Sequence, residues 1–273
     1  MPELPIRKPA VSGQFYSNSS EKLKENIQEL IGNISNPVEA IGCILPHAGY
    51  LYSGSVAGKT VSRLKLKENA IILGPNHRGY GAAFSIMTKG QWQTPLGKTE
   101  INSDLAEAIL NKSRHLSSDT LAHLSEHSLE VQVPFLQYLK KDIKIVPIAV
   151  TQAETSVYKE VGRSIAEALK EAGLANSSLI IASSDMTHYE PQKIAEEKDK
   201  EAIRAILELD EDKLIETVKR LKISMCGYAP VAIMLRAAKL LGAKKAELIS
   251  YQTSADVTGD FQEVVGYAGM IIR

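Results

Sequence analysis

Cysteine is nearly absent: the chain of 273 residues has two, Cys43 and Cys226. Two cysteines cannot staple a small secreted domain, so the expected setting is a reducing cytoplasm. Net charge is absent as well. The 32 Lys and Arg balance 32 Asp and Glu, so no overall field draws nucleic acid or an anionic membrane. No apolar run reaches the roughly 18 residues of a membrane span. The opening "MPELPIRKPAVSGQFY" lacks the apolar core of a secretory leader. Nucleic-acid and membrane partners are therefore not expected. No internal repeat, low-complexity tract or linker interrupts the chain, so residues 1–273 are expected to form a single domain.

Several familiar motifs are missing too. "GSVAGKT" at 54–60 has three residues between its glycines where a phosphate-binding P-loop needs four. Neither Ser53 nor Ser55 satisfies G-x-S-x-G. No strand is followed by G-x-G-x-x-G. "TSADVTGDF" has neither the Asp spacing nor the closing Glu of a calcium loop.

What is present is an alternation of short apolar runs and amphipathic stretches. "AIGCILP", "NAIILG", "IKIVPIAV" and "SSLIIASS" read as buried strands. The spacing predicts helices over 19–32 (capped by Asn18), 103–112, 156–172, 191–208 and 211–221, and another opening at "CGYAP". "AELISYQTS" and "QEVVGYAGMII" read as two closing strands. The middle, with breakers at Gly90, Pro95 and Gly97, reads as a hairpin. The expected fold class is α/β, a three-layer α/β/α sandwich with a mixed, largely parallel sheet.

Three apolar runs end alike. "GCILP" runs into His47, "AIILGPN" into His77, and "SLIIASS" into Asp185 with His188 close behind. Ligands of open α/β sheets bind outside the carboxyl ends of the strands, so parallel strands would set these four residues on one rim. Each histidine taken singly also reads as a turn residue; the shared placement favours a site. His123 and His127 flank "LSE". Their spacing can face two imidazoles the same way, but the order of H-E-x-x-H is not met. Glu126 and His127 are candidates to support the rim from behind, and His123 reads as a capping or surface residue. His115 lies in a polar loop. Cys43 sits within a strand as a small hydrophobe. Cys226 precedes Gly227 at a helix start, where exposed N–H groups and the helix dipole favour a thiolate. A thiolate with two imidazoles suits copper, zinc or iron better than magnesium or calcium.

"RKPAVSGQFYS", "PHAGYLYSGSVAG", "ILGPNHRGY", "TPLG", "EHSLEVQVPFLQYL", "SSDMTHY", "MCGYAP" and "GYAG" follow one another along nearly the whole chain. Together they resemble the Memo family, also called AmmeMemoRadiSam system protein B. The resemblance implies a domain similar to the class III extradiol (LigB-type) dioxygenases, which are non-haem iron enzymes. It implies a metal site of His47, His77 and Cys226, with Asp185 and His188 lining the same pocket as catalytic candidates. Extradiol enzymes use two His and a carboxylate; Cys226 in the carboxylate's place speaks against classical ring cleavage and for a redox role of iron or copper. The resemblance also implies partner proteins of the AmmeMemoRadiSam system, and it leaves the substrate, small molecule or peptide, open. Two other readings stand beside it: a zinc-dependent hydrolase with Asp185 or His188 as base, and a non-enzymatic adaptor of a radical-SAM-linked pathway.

Overall fold

Apolar runs too short for helices, with helices between them, call for a sheet covered on both faces. The computed structural model describes residues 5–34 and 36–273. At its centre the strands Gly42–Leu45, Ser178–Ser183, Asn69–Pro75 and Lys144–Val150 lie side by side in that order, all parallel. The first three are buried along their whole length, which explains why they read as unbroken apolar runs and not as alternating ones. Antiparallel strands flank this centre. Val264–Ile272 pairs with Gly42–Leu45 and carries Ala246–Thr253 on its other edge, and Phe84–Ile86 pairs with Lys144–Val150. The protein is thus an α/β sandwich with a mixed sheet whose central strands are parallel.

The helix Tyr228–Leu240 packs on the central strands with Thr155–Glu171 against it. Tyr50–Val61 packs on Ala246–Thr253 and Val264–Ile272, with Ser20–Ile31 beside it. The "GKT" stretch lies inside the Tyr50–Val61 helix, as its failed P-loop spacing requires. The expected hairpin is present as Gln91–Thr94 and Gly97–Glu100, and it forms a small separate sheet with Ile6–Arg7. The first helix starts at Ser20 and is capped by Ser19, whose hydroxyl accepts from the Lys22 N–H at 3.4 Å. Asn18 was expected in that role but stands one residue too early. The other long helices begin and end within a residue or so of the expected bounds. Among the described residues no helix is long and apolar enough to cross a membrane.

Register places the site. Leu45 pairs with Ser183, and Leu73 with Ala182, so the three strands stop at nearly the same height. Two residues beyond each strand end come His47, His77 and Asp185. Parallel pairing therefore converts three distant positions into one cluster.

Candidate metal centre

His47, His77 and Cys226 each offer a ligand atom, and the three atoms lie within 4.8 Å of one another. The His47 and His77 ring centroids are 5.1 Å apart. The Cys226 sulfur stands 3.2 Å from His47 Nε2. Cys226 is brought there by Gly227. A Cβ at Gly227 would lie 2.4 Å from the Ser183 carbonyl oxygen, and the Gly227 N–H donates to Ser184 Oγ at 3.1 Å. Only a residue without a side chain lets the helix start touch the strand end so closely.

Hydrogen-bond counting assigns the histidine tautomers. Ser183 Oγ has one hydrogen, and it goes to the Ser128 carbonyl, 2.7 Å away, which can only accept. Ser183 Oγ also accepts from Gln132 Nε2 at 2.9 Å. His47 Nδ1, 3.0 Å from the same oxygen, must therefore carry a hydrogen and donate. That leaves His47 Nε2 bare and facing Cys226. His77 follows the same logic. Its Nδ1 lies 2.9 Å from Glu126 Oε1, an acceptor, so its Nε2 is bare as well. Metal-binding histidines characteristically present one free nitrogen while the other donates to a carboxylate or other oxygen. The residues present thus fit a transition-metal ion.

Glu126 is fully buried. Burial opposes its ionisation, but the His77 hydrogen bond and charge and the Ser128 N–H outweigh it and bring its pKa down to about 2. The carboxylate also accepts from the His77 backbone N–H at 2.7 Å. His127 stacks on His77 with centroids 4.7 Å apart, and its Nδ1 is 3.5 Å from Glu126 Oε1. Burial lowers the His127 pKa to about 4. The structure therefore brings Glu126 and His127 behind the rim. His77 remains 30% exposed at its side chain, and a cleft of about 310 Å³ opens beside it and Cys226, bounded by Thr151, Gln152 and Pro230.

Asp185 Oδ1 accepts from the His47 N–H at 2.7 Å, and Oδ2 is 4.0 Å from His47 Nε2. Burial raises its pKa to about 6 against the pull of the His47 and Ala48 backbone N–H groups and of His188. His188 Nδ1 donates to the Met186 carbonyl at 2.8 Å, which leaves its Nε2 bare. Asp185 thus meets His47 at the strand ends, while His188 lies three residues on with its backbone N–H donating to Ser224 Oγ at 2.7 Å.

Two expectations are corrected. The helix start does not give a thiolate: burial, then the Asp185 carboxylate beside it, pushes the Cys226 thiol well up. The protonated sulfur lies 3.2 Å from His47 Nε2 and donates to the Asp185 carbonyl at 3.8 Å. His123 is neither a cap nor a surface residue. It is fully buried against Trp92, and its Nε2 is 2.9 Å from Ser85 Oγ. His115 is half-buried, with its N–H donating to Ser113 Oγ.

Other supporting residues escape a reading of strand ends. Arg7, 1% exposed, forms an ion pair with Glu130 and donates to the His123 and Glu126 carbonyls at 3.0 and 2.7 Å. Its guanidinium lies 4.4 Å over the Trp92 ring. Glu130 also accepts from the Ala10 and Val11 N–H groups and from the Tyr16 hydroxyl. This buried hub holds the segment that delivers Glu126 and His127. Its members lie in the stretches "RKPAVSGQFYS" and "EHSLEVQVPFLQYL", but no spacing within either stretch pairs them.

An α/β sandwich whose parallel strands end in two oriented imidazoles, met by a thiol at the start of a covering helix, defines a protein class with a candidate transition-metal centre. Comparison with known proteins makes the assignment specific. The model of the Memo-like protein family matches residues 7–271, and the chain belongs to that family. It is 44% identical over 287 residues to a MEMO1 family protein of Methanocaldococcus jannaschii, covering 98% of this chain and 99% of the relative. It is 43% identical over 278 residues to one of Pyrobaculum aerophilum, covering 97% and 98%. Another, of Aquifex aeolicus, is 42% identical over 270 residues, covering 97% and 98%.

Proposed function

We propose that this Memo-family chain is a cytoplasmic metalloprotein that binds one iron or copper ion through His47 Nε2, His77 Nε2 and Cys226 Sγ and performs redox, oxygenase-like chemistry. The observation that carries the reading is the pair of imidazoles oriented by Ser183 and Glu126, whose ligand atoms lie within 4.8 Å of each other and of the Cys226 sulfur. Bound iron or copper would supply one-electron exchange and Lewis acidity. The chain's own groups do the rest. Glu126 and Ser183 hold the imidazoles in one tautomer. Asp185 exchanges a proton at Oδ2, and His188 accepts one at Nε2. The half-open cleft beside Cys226 and His77 admits a small molecule.

A zinc-dependent hydrolase is the second reading, supported by Asp185. A carboxyl titrating at about 6 is suited to general-base work near neutrality. Anaerobic metal analysis separates the two. Iron or copper bound tightly, with oxygen- or reductant-dependent spectral change, supports the redox reading. Zinc as the sole tight metal, with no redox response, replaces it with the hydrolase. Unchanged metal binding in His47→Ala, His77→Ala and Cys226→Ser alike removes the site altogether.

A further inference from the structure

The metal centre lies past the carboxyl ends of the central strands, and their opposite ends carry a different set of groups. Gly42–Leu45, Ser178–Ser183, Asn69–Pro75 and Lys144–Val150 all begin there. That end is about 20 Å from the centre, the length of a seven-residue strand. Two clefts of about 440 and 250 Å³ open at it. Both are lined by Glu39, Lys67 and Asn176. One runs on to Arg273, and the other runs on to Lys65, Lys140 and Glu68. In a chain of zero formal charge, four cations and two carboxylates thus line one pair of clefts.

Lys67 is the central group. In "LKLKEN" the leucines pack on the core, while the lysines between them line the clefts. The other cations have partners at the surface. Lys65 is paired with Glu39 at 2.8 Å, Lys140 with Asp142 at 3.4 Å and Arg273 with Glu247 at 3.3 Å. Such pairs in contact with water are weak and exchange readily for a better anion. Lys67 is half-buried and forms no ion pair among the described residues. Burial lowers its pKa against the pull of Glu39. A half-buried ammonium without a close counter-ion is stabilised by an anion that enters its cleft. Backbone donors cannot serve that anion, because those at the strand starts are engaged. The Asn69 N–H donates to the Ser177 carbonyl and the Lys144 N–H to the Glu68 carbonyl. Recognition at this end therefore falls to side chains.

We propose that this end of the sheet is a second binding site, for a small molecule that carries two anionic groups, phosphate or carboxylate, bridged by Lys67. Arg273 takes one group, and Lys65 with Lys140 takes the other. The shape of the site decides the class. A single anion at Lys67 would leave one of the two clefts empty, while a molecule with an anion at each end fills both. Charge agrees with shape. Four cations less two carboxylates leave an excess of two positive charges, and complementary charge is what selects a partner from its competitors. Asn176 lines both clefts, and its amide donates to the bridged molecule. The site is independent of any metal at the far end of the strands.

Succinate and pyrophosphate are the probes, titrated into the full chain at low salt, with acetate and inorganic phosphate as their single-anion counterparts. Amide NMR reads the position and calorimetry the affinity. Shifts are expected at Lys65, Lys67 and Asn176. The two-anion probe should bind about 10-fold or more tightly than its counterpart, the worth of a second charge-assisted contact. Lys67→Met keeps most of the stem, removes the charge and should weaken binding about 10–100-fold. Lys193→Met, which removes the same charge from the exposed start of the Gln192–Leu207 helix, should leave binding unchanged. Asn176→Ala, at an exposed position whose truncation leaves the fold intact, should weaken it about 3–10-fold. Binding of succinate alone supports a dicarboxylate ligand, and of pyrophosphate alone a phosphate-bearing one. Equal loss in Lys67→Met and Lys193→Met overturns the proposal, because net charge alone would then govern binding. Single anions bound as tightly as paired ones overturn it, as does wild-type affinity in Asn176→Ala. Absence of binding by the wild type, or shifts centred on His47 and His77, does the same.

Discussion

His47 Nε2 stands 3.2 Å from the sulfur of Cys226, a residue 179 positions further along the chain. The contact joins the end of a central strand to the start of a covering helix, and it makes the thiol and the imidazole one unit. Replacing either should therefore affect metal binding alike. His47→Ala, His77→Ala and Cys226→Ser are each expected to lower iron or copper affinity by more than the roughly 10–100-fold that a lost supporting partner costs. Competition titration against a chelator of known affinity checks this.

Glu126 and Ser183 hold the ring nitrogens, Nδ1 of His77 and of His47, that lie away from the proposed metal position. Glu126→Gln and Ser183→Ala are expected to weaken metal affinity by about 10–100-fold while leaving the three ligands in place. The loss should be larger for Glu126→Gln, because the amide no longer carries the charge that supports His77. Isothermal titration of both variants, with circular dichroism to confirm the fold, is the measurement.

Arg7 and Glu130 are both buried at 1% exposure of their side chains. Removing one partner leaves the other charged in the interior. Arg7→Met is expected to cost about 3–5 kcal/mol of stability, read from urea unfolding at pH 7. The double variant Arg7→Met with Glu130→Gln should recover part of it, since the stranded charge is gone.

His123 supplies a pH dependence. Burial, with Arg7 nearby, lowers its pKa from 6.5 to about 4 in the folded chain. Between those values the unfolded state binds the proton and the folded state does not, so stability is full above pH 6.5 and falls as pH drops toward 4. The drop is roughly 2–3 kcal/mol. Asp185, raised to about 6, works in the opposite sense between 6 and 3.8, so the test is a difference. Wild type should lose more stability than His123→Gln between pH 7 and pH 4.5 in urea titrations. Parallel losses would show that His123 is not the group responsible.

The parts of this molecule that were legible in the sequence share one property: they depend on neighbours along the chain. Apolar runs ending in His47, His77 and Asp185 could be read because parallel strands in register stop at one height. The helix Thr155–Glu171 could be read from the spacing of Val157, Val161, Ile165 and Leu169. The hub of Arg7 and Glu130 could not, because its members are 123 positions apart and nothing in the two stretches that hold them, "RKPAVSGQFYS" and "EHSLEVQVPFLQYL", says that they meet. The protonated Cys226 was likewise hidden. A helix start argues for a thiolate, and only the packed structure shows that burial and the Asp185 carboxylate outweigh it. His123 reads from the sequence as a capping or surface residue, and its ring turns inward onto Trp92.

Cys226 trails the imidazoles in the order of synthesis. A chain leaving the ribosome has carried His47 and His77 for about 150 residues before the thiol is made, and the thiol takes its place only when the Tyr228–Leu240 helix docks on strands laid down earlier. An ion captured by the growing chain would be held by nitrogen alone, and full capture waits for the last third of the polypeptide. A chain that stops before Cys226 carries the first two candidate ligands and cannot close the site.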